Sequence, residues 1–283
     1  MERIRRSWEL AKASLDVLRQ DKELMIFPII SALAMVVVSA VFLVPSLLSN
    51  LVDNILGADA PVLGYVVLFL FYIVQYTVVY FFNTALIGAA LIRLRGGDPT
   101  VRDGFKVAMS RLWPIVGWAL VSATVGLLLN VISDKSKKNG RGIGHVISSL
   151  LGAAWNILTF LVVPVLAAEG LGPIEAVKRS WTLLKRSWGE QISGTITIGL
   201  VFGLVGVVGG LLLVGAGVGL SLWLESWVPA VLFGIVLVLF VMFMGLLNST
   251  LSGIFAAAVY TYVVDGESVL FEERLLSGAM LQG

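Results

Sequence analysis

The chain has 283 residues, of which 58% are hydrophobic and only 13% charged, with a formal net charge of +2. A soluble domain carries nearer ~25% charged residues. Here the charges cluster, leaving uncharged tracts longer than the about 20 apolar residues that one helical bilayer crossing needs, so an ordinary soluble globule is excluded. A transmembrane β-barrel is excluded too, because its strands alternate polar and apolar residues over short segments. The lack of cysteine removes disulfides, thiolate catalysis and cysteine-ligated metals.

The opening 23 residues carry eleven charges, six positive and five negative. On a helix, Ile4, Trp8, Ala11, Leu15 and Leu18 form one stripe, with Arg5, Glu9, Lys12, Asp16 and Arg19 opposite. Tryptophan on the apolar face and basic residues on the other is the pattern of a helix lying in the membrane interface. No cleavable leader is evident, and the mature chain is expected to start at or near Met1. Six apolar tracts follow, at 24–49, 62–92, 112–133, 143–168, 191–224 and 227–264.

The second and third tracts are separated by "RLRGGDPTVRDGFK". Thr100 and Asp103 have capping-box spacing, and Val101, Phe105, Ala108 and Leu112 fall at helical intervals after it. The fourth and fifth tracts are separated by a segment in which "SWTLLKRS" (180–187) echoes "SWELAKAS" (7–14). Its stripe is Ile174, Val177, Trp181, Leu184 and Trp188, with Pro173 suited to the first helical turn. The last two tracts, 34 and 38 residues long by their bounds, exceed a ~30 Å core at ~1.5 Å per residue. They must tilt, project or break, and "GAGVG" (215–219) is the expected break. Whether 191–264 holds two long spans or a broken or re-entrant segment stays open.

The expectation is an all-α polytopic transmembrane helical bundle of about six spans, with amphipathic interfacial helices preceding spans 1, 3 and 5. The transmembrane domain covers 1–265 and parses into three repeat units, 1–95, 96–169 and 170–265, followed by a C-terminal tail, 266–283. Trp8, Trp181 and Trp188 are the interfacial anchors. Sixteen of the 20 Lys and Arg residues fall on one side of this topology, which places both termini in the cytoplasm. Lys135, Lys137, Lys138 and Arg141 dissent.

The returning spans share an asparagine: "NTALIG" at Asn83, "WNILTF" at Asn156 and "NSTLSG" at Asn248. A buried amide in lipid serves either interhelical hydrogen bonding or a path for an uncharged substrate. The six tracts contain no Asp, Glu, Lys or Arg, which argues against ion-coupled transport. Gly199/Gly203 and Gly206/Gly210, each four apart, allow close helix approach, within the chain or between copies. His145 is the only histidine, and Ser252 lies in "LSGIF" without a partner base; neither makes a catalytic site. No metal-ligand spacing or phosphate loop is present, so no enzyme, cofactor or metal is expected. The basic faces meet a bilayer, so nucleic acid is not an expected partner.

The stretches "SWELAKASLDVLRQDKELMIFPIIS", "GGDPTVRDGFKVAMSRL", "VPVLAAEGLGPIEAVKRSW" and "AAAVYTY" resemble a family of uncharacterised six-pass prokaryotic integral membrane proteins. Glu169, Gly172, Ala176 and Ser180 are distantly similar to a step in the membrane domain attached to some glycerophosphodiester phosphodiesterases. The companion catalytic domain of those enzymes has no counterpart here, so the resemblance implies a fold and a place in the prokaryotic cytoplasmic (inner) membrane, and no activity. The two functions left are a membrane scaffold or accessory protein, and a transporter or lipid-handling protein for an uncharged or amphipathic substrate. Expected partners are membrane lipids and a second copy or another membrane protein.

Overall fold

The computed structural model describes residues 14–48, 61–138 and 143–265. Nine helices account for nearly all of them: α1 (14–20), α2 (Ile26–Leu48), α3 (Pro61–Leu94), α4 (Val101–Ser110), α5 (Leu112–Lys138), α6 (Ile143–Thr159), α7 (Val162–Glu169), α8 (Pro173–Trp223) and α9 (Val228–Asp265). Six segments among the described residues are long and apolar enough to cross a membrane: Lys22–Val44, Val66–Leu94, Leu112–Leu129, Leu150–Glu169, Phe202–Trp223 and Val228–Asp265. The chain is thus an all-α, six-span protein. Helix throughout is what lipid demands, because an unpaired backbone amide there costs several kcal/mol.

Local chemistry sets the joints. Thr100 caps α4 with its side chain accepting from the Asp103 N–H, and Asp103 returns the bond, so the capping box is formed. Pro114 lacks the N–H that would bond the Ser110 carbonyl, and α4 ends there, with α5 starting beyond Arg111. Pro164 crowds the Phe160 carbonyl in the same way, and the fourth span is interrupted between α6 and α7. Pro173 sits in the first turn of α8, as its fixed φ favours.

The break at "GAGVG" is not made. The α8 helix runs 51 residues from Pro173 to Trp223 without interruption, a length of about 77 Å at ~1.5 Å per residue. Mid-helix glycines cost up to ~1 kcal/mol each, whereas a broken ladder in lipid costs several per exposed group. The segment before span 5 is therefore not a separate helix: residues 173–190 are about the first five turns of α8. The segments before spans 1 and 3 are separate, divided from their spans by a 3-10 turn at Lys22–Met25 and by Arg111.

Burial is concentrated at one end of the spans. Phe27 lies at the start of span 1, Ala85 to Leu94 at the end of span 2, Ile115 and Trp118 at the start of span 3, and Leu161 to Leu166 at the end of span 4. Ala176 and Leu183 lie before span 5, and Ile254 to Tyr260 at the end of span 6. Those positions all belong to the same side of an alternating six-span path. Small residues permit it. A Cβ on Gly104 would lie 2.5 Å from Phe27 Cζ and 2.7 Å from the Ala85 carbonyl oxygen, so α4 rests on α3 at backbone distance.

The buried faces differ from the expected stripes. In α8, Leu184 of the expected stripe is buried and Val177 packs on the core, but Ala176, Ser180 and Leu183 pack with them, while Ile174 and Trp181 are 67% and 40% exposed. In α1, Leu18 of the expected stripe is buried, but so are Ser14 and Val17, and Leu15 is exposed. Lipid is as apolar as a protein core, so bulky apolar residues lose nothing by facing outward, and small ones let helices close up. The same reasoning moves the glycine contacts. Nothing lies within 4 Å of a Cβ built on Gly203 or Gly206, and Gly210 reaches only Leu237 at 3.7 Å. The close approaches of α8 to α9 are Gly209 under Phe240 and Gly217 under Phe233.

Candidate functional site

Where the packed ends of the spans meet, the charged residues of five segments interlock. The α3 helix closes with Arg93, whose guanidinium reaches both carboxylates flanking it, Asp21 before α2 and Asp98 in the following loop; Nη2 lies 2.5 Å from Asp21 Oδ1. Arg95 donates to Asp265 at the end of α9, Nε to Oδ2, 2.9 Å. Glu169, the last residue of α7, accepts from Arg179 Nε on α8 and from the Tyr260 hydroxyl on α9, each at 2.9 Å to Oε1. Gly170 ends α7 in a left-handed conformation, φ 66°, and donates to the Leu166 and Val165 carbonyls. The Arg111 guanidinium packs where a Cβ on Gly170 would stand. Glycine is required there twice over, for φ and for space.

The rim thus ties the start of span 1, the ends of spans 2, 4 and 6 and the start of α8 into one unit. Its acids are committed. Asp103 joins them: the Thr100 hydroxyl and then the Thr100 N–H hold its carboxyl below the usual aspartate range. A carboxylate held by a helix cap in this way is a poor proton acceptor near neutral pH. The cations Arg102, Lys106 and Lys178, by contrast, are exposed and make no ion pair with a described residue. The end can hold anions. Among the described residues no group of three His, Cys, Asp or Glu could hold a metal ion.

A second candidate lies within the spans. Tyr72, Tyr76 and Tyr80, four apart on α3, stack successively and continue through Trp118 of α5 to Trp155 of α6, with ring centroids 5.7 to 6.3 Å apart. The Tyr80 hydroxyl donates to Ser122 Oγ at 3.0 Å. One turn on, Thr84 is fully buried, and its hydroxyl, Trp118 Nε1 and Gln75 Oε1 have no hydrogen-bond partner among the described residues. The tyrosine spacing is visible in the sequence; the tryptophans that complete the ladder come from other spans.

The residues singled out from sequence are dispersed. Asn83 and Asn248 are half-buried and Asn156 is exposed, and none of the three makes a side-chain hydrogen bond with a described residue. Gln75 provides an interhelical amide contact instead, Nε2 to Ser39 Oγ at 2.7 Å. Trp181 carries Lys185 Nζ 5.1 Å from its ring centroid. Trp8, the tail 266–283, the side chains of His145 and Trp188 and the surroundings of Gly199 lie outside the described residues. Sequence reading missed Glu169 with Tyr260, 91 positions apart; the signal was a lone acid between a helix end and a proline start.

Residues 62–270 match a family of unknown function, DUF6159. No curated protein matches the chain significantly.

Proposed function

The chain belongs to the DUF6159 family, whose function is unknown, and on that premise we propose that it is a membrane scaffold or accessory protein with no catalytic step of its own. The observation that carries this is the rim: Arg93 bonds Asp21 and Asp98, Arg95 bonds Asp265, and Glu169 accepts from Arg179 and Tyr260, which ties five segments together and leaves exposed cations outward. A clamped end with a surplus of unpaired positive charge suits holding a surface or a partner. The sequence topology assigns sixteen of the 20 Lys and Arg residues to this side, which supports a cytoplasmic rim and cytoplasmic termini in a prokaryotic inner membrane. The distant similarity of Glu169, Gly172, Ala176 and Ser180 to a membrane domain that accompanies a separate enzyme supports an accessory role. Its partners are lipids together with a second copy or another membrane protein.

The unpartnered Thr84, Trp118 and Gln75 atoms beside the tyrosine ladder favour a second reading, a path for an uncharged or amphipathic substrate. Vesicles reconstituted with the full chain separate the two. The scaffold reading expects neutral-solute uptake and fluorescent-lipid flipping no faster than in empty vesicles. Protein-dependent uptake or flipping that is lost in Thr84→Val would overturn it.

A further inference from the structure

Two surface grooves lie beside the rim, and they are built from corresponding residues. The first, about 700 Å³, is lined by Phe81 of α3 and by Arg102, Asp103, Phe105, Lys106 and Met109 on and around α4. The second, about 590 Å³, is lined by Ala154, Ile157 and Leu158 of α6 and by Val177, Lys178 and Trp181 of α8. Adding 72 to the α4 positions gives the α8 positions: Phe105 becomes Val177, Lys106 becomes Lys178, and Met109 becomes Trp181. The supporting face corresponds as well. Gly104 and Ala108 are buried behind the first groove, and Ala176 and Ser180 behind the second. Each helix starts from an extended cap, Thr100 or Gly172, with an acid in its first turn, Asp103 or Glu175.

Each groove therefore forms between one returning span and the helix that opens the next unit. The floors are aromatic and aliphatic, and the lips carry lysine. In the first groove Asp103 lines the lip but commits its carboxylate to the cap, accepting from Thr100 N and Oγ at 3.1 and 2.6 Å, and against its single negative charge Arg102 and Lys106 leave the lip net positive. In the second, Trp181 stands between Lys178 and Lys185, with Lys185 over its ring.

We infer that the two grooves are repeated sites for one anionic phospholipid each. The acyl chains lie on Phe81, Phe105 and Met109 in one and on Ile157, Leu158 and Trp181 in the other, and the headgroup phosphate meets Lys106 with Arg102, or Lys178. A volume of this order suits a glycerophosphate headgroup with its first methylenes. The charge on the lips selects anionic over zwitterionic headgroups. Trp8, the counterpart of Trp181 in the opening octapeptide, and Arg5, which like Lys178 lies three residues before its tryptophan, lie outside the described residues. The inference deepens the scaffold reading and rests on it in taking the rim to lie at the membrane surface.

The test uses the full chain, delipidated in detergent and offered phosphatidylglycerol or phosphatidylcholine with identical acyl chains, with bound lipid counted by native mass spectrometry. Phosphatidylglycerol is retained selectively at two or more per chain. The double variant Arg102→Gln/Lys106→Gln weakens retention of one lipid about tenfold, and Lys178→Gln weakens retention of another. These cations are exposed and make no salt bridge with a described residue, so thermal melting stays unchanged and loss of fold is not the cause. Phe105→Ala, which shortens the first floor, lowers retention of both lipid types at that groove. Equal retention of the two headgroups, or no effect of either lysine variant, overturns the inference and leaves the scaffold reading standing. Substrate flux in vesicles would overturn the scaffold reading and leave these sites standing.

Discussion

Gly104→Ala adds a single methyl group where the helices are closest. The new Cβ would sit 2.7 Å from the Ala85 carbonyl oxygen and 2.5 Å from Phe27 Cζ. An ordinary carbon-to-oxygen contact is about 3.3 Å or longer, so the clash with Ala85 is about 0.6 Å. The Phe27 ring can tilt, though it is fully buried and packs on Phe105 with centroids 5.4 Å apart. The Ala85 oxygen belongs to helical backbone and cannot move alone, so α4 must lift off α3. Overpacking of this kind costs about 1–3 kcal/mol, against a gain of about 0.5–1 kcal/mol for replacing a mid-helix glycine. The net loss is about 1–2 kcal/mol, a fall of several degrees in the midpoint for a chain of this size, by about 2–4 °C per kcal/mol. Gly203→Ala is the control: nothing lies within 4 Å of its Cβ, so only the gain applies, and the midpoint holds or rises. Both are read by tryptophan fluorescence melts in one detergent. Gly104→Ala melting as high as Gly203→Ala would refute the close approach of α4 to α3.

Tyr260→Phe deletes the hydroxyl that donates to Glu169 at 2.9 Å and should cost about 1–3 kcal/mol, since the acceptor is charged; an unchanged melt would mean the rim does not hold span 6. The Asp103 carboxyl is held low by Thr100, so its contribution is complete above the unfolded range near about 4 and is lost as pH falls through the lower folded value. Melts from about pH 6 to about pH 3 should therefore decline less in Asp103→Asn than in the parent chain, and parallel curves would deny the cap a role. Trp181→Glu and Lys185→Glu should both be mild in detergent, because Trp181 is 40% exposed, while Leu184→Glu, at 1% exposure, should be severe.

The spans were legible because the bilayer imposes a length and forbids charge, and the uncharged tracts of 24–49 and 62–92 need no tertiary knowledge to interpret. The capping box at Thr100 and Asp103 and the proline start of α8 were legible because they are local backbone chemistry. The packed faces were not. In water a stripe such as Ile174, Val177 and Trp181 marks the core, but in lipid it marks either side, and Ala176 and Ser180 were the packing residues. Gly203, Gly206, Gly209 and Gly217 are equivalent on paper, and only the rotation of α8 against α9 decides that Gly209 and Gly217 meet Phe240 and Phe233. The rim pairs join residues up to 170 positions apart, as in Arg95 with Asp265, and no local pattern announces them.

The proposed cytoplasmic placement of the rim of Arg93, Arg95, Glu169 and Asp265 can be tested directly. The chain has no cysteine, so single cysteines report sidedness without background when intact cells are treated with a membrane-impermeant thiol reagent. The turn between α8 and α9 and the loop after α3 should lie on opposite sides. Ser226→Cys should label from outside, and Asp98→Cys, at a side chain 91% exposed, should label only after the membrane is opened. Labelling of Asp98→Cys from outside, with Ser226→Cys protected, would contradict the account by turning the rim and both grooves to the other face.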